Sequence, residues 1–194
     1  MAEITSVCVY CGSQMGNDPR HRETAAAFGR ELAGQGVALV YGGGRIGLMG
    51  VVADAVLQAG GKVIGIIPTF LNKVEIGHQH VTELHVVESM HTRKHKMFEM
   101  ADAFVILPGG LGTLDEAFEI ITWRQLNLHD KPIILVNHQN YWQPFLALFD
   151  AVIEGGFASV ASRRLFTVVD SPAGVLDAIR AAGPEGVPER PERL

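Results

Sequence analysis

Residues 108–116 read Pro-Gly-Gly-Leu-Gly-Thr-Leu-Asp-Glu, between the apolar run 103–107 and an apolar-periodic stretch ending near Leu128. A strand, a glycine-rich turn and a helix start are thus packed into a few residues. Glycine lets a backbone approach a ligand closely and take positive φ. A helix N-terminus presents unpaired N–H groups and partial positive charge. Together these make an anion site, most often for phosphate. Glu116 is the one residue such a cradle does not need, and it has two readings. With Thr113 as N-cap, Glu116 falls at N3 of a capping box and returns to the cap's own N–H. Alternatively it is a carboxylate held one turn into the helix beside a bound phosphate. Three glycines, Gly109, Gly110 and Gly112, exceed what a capping box requires and favour the anion site. Asp115 and Glu116 project about 100° apart on a helix, so one of them faces the site, and the capping position selects Glu116.

Other residues compete for a chemical role. The cluster 42–47, Gly-Gly-Gly-Arg-Ile-Gly, fits G-x-G-x-x-G. It follows the second strand rather than the first, and no acidic residue lies about 20 positions on for a ribose. A dinucleotide is therefore not expected, which leaves tight helix–sheet packing or the lining of a nucleotide. The stretch 90–97, Met-His-Thr-Arg-Lys-His-Lys-Met, opens a helix whose basic residues either face solvent or meet a ligand. Arg93 offers a planar fork of donors suited to oxyanions, with Lys94 beside it. His91 and His95 are four apart, but Thr92 stands where a metalloprotease helix carries glutamate. His78 and His80 have no carboxylate or cysteine cluster at ligand spacing, so no metal site is expected. Gly12-Ser13-Gln14 lacks the frame of a nucleophile elbow. Cys8 and Cys11 form C-x-x-C, yet Cys8 sits within a strand-like run rather than opening a helix. Residues three apart on a strand point to opposite faces, so both read as small apolar side chains.

The elements that must position these residues alternate along the chain. Strands are expected at 4–11, 38–41, 62–67, 81–87, 103–107, 132–136 and 165–169. Helices are expected at 19–35, 48–59, 90–100, 114–126, 142–154 and 173–182, with a loop over 68–79. Runs such as Val105-Ile106-Leu107 and Ile133-Ile134-Leu135-Val136 are apolar without alternation, the pattern of parallel strands buried on both faces. Alternation of such strands with helices means a doubly wound α/β parallel sheet, with ligands at the carboxyl ends of strands. The glycine turns after Cys11, Tyr41 and Leu107 lie at those ends. Residues 1–182 read as a single domain, and 183–194, rich in proline and charge, as a disordered tail.

The 194 residues suit one core. Hydrophobic residues make up 47% and the net charge is −5 without a long basic run, so nucleic-acid binding through a broad electrostatic footprint is not expected. No segment reads as a signal peptide or membrane span, and the expected protein is soluble and cytoplasmic.

In order along the chain, Cys11-Gly12-Ser13, the run 41–50 (Tyr-Gly-Gly-Gly-Arg-Ile-Gly-Leu-Met-Gly), Met90-His91-Thr92-Arg93-Lys94, the 108–116 segment and Ile120-Ile121-Thr122-Trp123 resemble the LOG ("Lonely guy") family. The segment matches its P-G-G-x-G-T-x-x-E signature. The resemblance runs from about Val7 to Phe157. Members are cytokinin riboside 5′-monophosphate phosphoribohydrolases that often carry the label lysine decarboxylase. The resemblance implies a Rossmann-like fold, a homodimer without a cofactor, and hydrolysis of the N-glycosidic bond of a purine nucleoside 5′-monophosphate. It makes Arg93 and Glu116 the catalytic pair and the Gly110–Thr113 loop, including Leu111, the phosphate seat. Glu75, Lys94 and Thr122 match positions that contact the nucleotide. Ser13, Gly43, Gly44 and Gly109 complete the expected lining. The alternative is a non-catalytic nucleotide or phosphorylated-cofactor carrier on the same fold, which would not need the Arg93/Glu116 pair. A pyridoxal decarboxylase would need a Schiff-base lysine, and nothing in the sequence marks one.

Overall fold

Strands that are apolar at every position can satisfy their side chains only between two layers, and the sheet is built that way. The computed structural model describes residues 4–74 and 77–182. Its seven strands are β1 (Ser6–Tyr10), β2 (Ala38–Tyr41), β3 (Val63–Pro68), β4 (Glu83–Val87), β5 (Ala103–Ile106), β6 (Ile133–Val136) and β7 (Thr167–Val169). β1, β3, β5 and β6 are buried at every residue. All six pairings are parallel, in the order β4-β3-β2-β1-β5-β6-β7. The chain thus winds outward from β1 to β4, returns to the centre, and winds the other way through β7. The reversal falls between β1 and β5, where an open α/β sheet leaves a crevice at its carboxyl edge.

The helices are α1 (Pro19–Gly34), α2 (Gly47–Gln58), α3 (Thr69–Val74), α4 (Met90–Glu99), α5 (Leu111–Gln125), α6 (Gln143–Glu154) and α7 (Val175–Ala181). Phe28 and Leu32 of α1, Val52 and Val56 of α2 and Leu176 and Ile179 of α7 form one core layer with Val7, Val9 and Val105. Met97 of α4, Ala117 and Ile120 of α5 and Phe145 of α6 form the other, with Cys8, Phe104 and Ile106. Successive strand residues thus feed opposite layers, as a pleat requires. The expected doubly wound, Rossmann-like α/β sheet is the one observed.

Several boundaries shift by a residue or two, and three differences from expectation fall between β3 and α5. The segment expected as a loop over 68–79 contains α3, a helix of six residues, too short to show a 3.6-residue period. β4 starts at Glu83 rather than Val81, and as an edge strand it is only half-buried. α5 begins at Leu111, three residues before the expected start at Leu114. The expected disordered tail at 183–194 lies outside the described residues. Among the described residues no helix is long and apolar enough to cross a membrane.

Candidate active site

The two glycine turns flanking the crevice are tied together. The Gly12 N–H donates to the Pro108 carbonyl (3.0 Å), joining the turn after β1 to the turn after β5. Gly47, at the start of α2, has φ +65°, and a Cβ there would collide with the backbone of Ser13 and Gln14. Only glycine lets these three segments converge. Ser13 itself stays exposed at the rim.

α5 opens on Gly110, in an extended conformation with no side-chain cap. α2, α6 and α7 likewise lack a side-chain cap, whereas two helices have one. α1 is capped by Asp18, which accepts from the Arg20 N–H, and α4 by Ser89, which accepts from the Thr92 N–H. Helix ends need partners for their first N–H groups; at α5 no side chain of the helix start provides one. Gly110 and Gly112 have nothing within 4 Å of where a Cβ would lie. Neither has positive φ. Packing and backbone conformation therefore give no reason for these glycines, and they leave open space over the helix start. Leu111 between them is exposed, while Thr113 is buried with its hydroxyl over Gly109.

The capping-box reading of Glu116 does not hold. With Gly110 as N-cap, Thr113 is N3 and Glu116 lies at the sixth helical position, a turn too far to reach the cap's N–H. The side chain instead turns inward and is 9% exposed. Gly112 and Thr113 stand one turn above it on the same helical face. Burial pushes its pKa from 4.5 up to about 7, with Arg93 pulling the other way and Asp115 adding to the rise. Asp115 points outward and pairs with Lys94.

Arg93 reaches Glu116 from α4. It is buried, and its position is fixed from the carboxyl ends of β2 and β3. Its Nε donates to the Ile66 carbonyl (3.2 Å) and its Nη2 to the Gly42 carbonyl (3.2 Å). Nη1 is left 3.9 Å from Glu116 Oε1 and 3.8 Å from Met90 Sδ. At 3.9 Å the pair attracts without a direct hydrogen bond, so a polar donor and acceptor remain for a ligand. Gly42 is a residue that sequence reasoning passed over. A Cβ there would overlap the Arg93 guanidinium. The glycine cluster was visible in sequence, but its use as a seat for an arginine 51 residues away was not.

The other expected site residues divide. Gly43 and Gly44 are buried and occupied by structure: the Gly43 carbonyl accepts from the His78 N–H (3.1 Å), and Gly44 bridges to Gly77. This favours their packing role. Lys94 lies between Asp115 (3.1 Å) and Glu119 (3.0 Å). Thr122 is exposed, about 9 Å further along the α5 axis than Glu116, and does not converge with the pair within one chain. Glu75 lies outside the described residues. Cys8 and Cys11 are free and buried, in opposite core layers, and burial pushes both thiols far up. Among the described residues no group of three His, Cys, Asp or Glu side chains could hold a metal ion.

Residues 49–179 match the family model described as "Possible lysine decarboxylase". A cytokinin riboside 5′-monophosphate phosphoribohydrolase of Rhodococcoides fascians is 43% identical over 91% of this chain and 89% of its own length. The enzyme of the same name LOG1 of Arabidopsis thaliana is 44% identical over 89% of this chain and 80% of its own. The chain belongs to the LOG family. Solved structures share the fold: a molybdenum cofactor binding protein from Rippkaea orientalis superposes with a TM-score of 0.70 at 21% identity, over 93% of this chain and 98% of that one. The decarboxylase wording of the LOG family model does not fit Lys94, the lysine beside Glu116 on this site. A Schiff-base lysine must be available as a neutral amine. For Lys94, burial favours that form, but the hydrogen bonds it donates to Glu119 and Asp115 outweigh it and raise the pKa.

Proposed function

We propose that this LOG-family protein is a phosphoribohydrolase. It hydrolyses the N-glycosidic bond of purine nucleoside 5′-monophosphates, AMP or its N6-substituted forms, to the free base and ribose 5-phosphate. The observation that carries this reading is a buried carboxylate, Glu116, beside Arg93 and one turn beneath an uncapped, glycine-opened helix start. The relatives at 43% and 44% identity are named for this reaction.

The first turn of α5 holds the 5′-phosphate on its free N–H groups and dipole. That anchor supplies remote binding energy that orients the ribose. The anomeric carbon then lies toward Glu116. As the C1′–N9 bond breaks, its electron pair leaves with the base and positive charge develops on the sugar, as in glycoside hydrolysis. The Glu116 carboxylate stabilises that charge and takes the proton of the water that attacks C1′; returned through solvent, that proton completes the neutral free base and leaves Glu116 ionised again. Arg93, fixed by two backbone carbonyls, holds the nucleotide and sets the carboxylate. Lys94 sits at the edge of this arrangement, and Thr122 contributes only in an assembly that returns it to a site. We place the enzyme in the cytoplasm as a homodimer. Exposed apolar side chains on α5 and α6 and just past the end of α5, among them Phe118, Leu148, Val152 and Leu126, support a paired face.

Incubation with AMP, GMP, CMP and an N6-prenylated AMP, with products separated by chromatography, tests the reading. Free purine and ribose 5-phosphate are expected. A carrier protein would bind these nucleotides and release no base, and that outcome would reject the enzymatic reading.

A further inference from the structure

Past β6 the chain makes an unusual turn. Gln139 and Asn140 have φ of 57° and 59°. Two successive non-glycine residues in the left-handed region are uncommon and strained, and such strain persists where the surroundings impose it. Here they do. The Asn137 side chain accepts from the Trp142 N–H (2.8 Å), and its carbonyl from the Asn140 N–H (3.1 Å). His138 Nδ1 donates to the Asp170 carbonyl (3.0 Å), and Arg20 at the start of α1 donates to Gln139 Oε1 (2.6 Å). What this brace delivers is Tyr141. Its ring stands edge-on to His21 (5.0 Å) and to Trp142 (4.9 Å). Its hydroxyl donates to the Gly109 carbonyl (2.6 Å).

That carbonyl belongs to the Gly109–Gly110 peptide. A trans peptide is planar, so its C=O and N–H point in opposite directions. Fixing the Gly109 carbonyl therefore fixes the Gly110 N–H on the side away from Tyr141. A peptide flanked by two glycines is the least restrained in rotation, and around Gly110 there is open space rather than packing. On its other side Gly109 packs against Thr113 and Gly12, so the freedom left to this peptide lies at Gly110, and the Tyr141 hydroxyl is the side-chain donor that holds its carbonyl.

We propose that Tyr141 is a positioning residue for the phosphate seat. Its hydroxyl locks the Gly109–Gly110 peptide so that the Gly110 N–H and the first turn of α5 form one preorganised anion site. The proposal rests on the reading that this helix start takes the 5′-phosphate. The Tyr141 hydroxyl bonds the Gly109 carbonyl and neither Glu116 nor Arg93, so its loss is read first in binding.

The test is calorimetric titration of ribose 5-phosphate into the full chain, with steady-state kinetics on AMP, for the parent, Tyr141→Phe and Tyr141→Leu. Removing one hydrogen bond to the seat should weaken ribose 5-phosphate binding and raise KM for AMP by about tenfold, with kcat within twofold of the parent. Tyr141→Leu, which also removes the ring, should lose at least as much. If Tyr141→Phe binds like the parent and only Tyr141→Leu weakens, the ring packs and the hydroxyl positions nothing, which overturns the proposal. A fall in kcat at unchanged KM overturns it as well. If the parent itself fails to bind ribose 5-phosphate, the phosphate reading fails, and the role of Tyr141 falls with it.

Discussion

Glu116 is an acid whose folded environment favours its neutral form. Its pKa rises from 4.5 to about 7 on folding, mainly through burial. The folded state therefore holds the proton more tightly than the unfolded one. That contribution is fully present below about pH 4.5 and is lost as pH climbs through about 7, where an ionised Glu116 costs roughly 3 kcal/mol. Glu116→Gln keeps the shape and removes the charge. It should abolish base release while melting higher than the parent at pH 8, with the difference gone at pH 4. Equal melting temperatures at both pH values would mean that Glu116 is not an uncomfortable buried acid. Retained activity would remove it from the chemistry. Gly42 offers the complementary test on Arg93. Gly42→Ala places a methyl where the guanidinium lies, and a displacement of about 1 Å at a positioning group costs on the order of 100-fold in rate. A folded Gly42→Ala protein with kcat reduced to that extent is expected by circular dichroism and initial rates; an unchanged kcat would show that the seat does not set the arginine.

α5 shows what sequence makes legible and what it hides. The glycine turn and the helix after it were plain from 108–116, and so was the choice of Glu116 over Asp115. The reason for that choice was not. Thr-x-x-Glu imitates a capping box, yet the helix starts at Leu111 because glycine at 110 and 112 does not stop a first turn that the Leu114 N–H closes on the Gly110 carbonyl (3.0 Å). Local spacing cannot distinguish N3 from a position three residues further in when the start itself shifts by three. The same limit applies to Arg93: its place on a basic helix was visible, but the carbonyls of Ile66 and Gly42 that aim it come from strands far away in sequence. Tyr141 gave no signal, since its partner is a backbone atom. The glycines of α5 make a further prediction. Alanine at a helical glycine is worth up to about 1 kcal/mol where nothing clashes. Gly112→Ala should raise the melting temperature and also raise KM for AMP, because the methyl enters the anion seat. A lower melting temperature would return this glycine to a packing role.

Across the whole molecule, the reversal of winding between β1 and β5 brings the site together. It sets the turns at Gly12 and Pro108 side by side, and α4 and α5 then supply the arginine and the carboxylate. The alternation of apolar runs made this architecture readable, because parallel strands buried on both faces have few alternatives. Assembly was less readable, since exposed apolar side chains on α5 and α6 mark a face without naming its occupant. Sedimentation analysis of the purified chain should give a dimer; a monomer at all concentrations would leave exposed Thr122 outside any site. The central claim is that a nucleotide held by its 5′-phosphate loses its base at Glu116. Parallel incubations with AMP and adenosine test it most directly. Adenine and ribose 5-phosphate from AMP are expected, with adenosine slower by roughly 100-fold or more because it lacks the anchor. Equal turnover of the two, or no adenine from AMP, would contradict it.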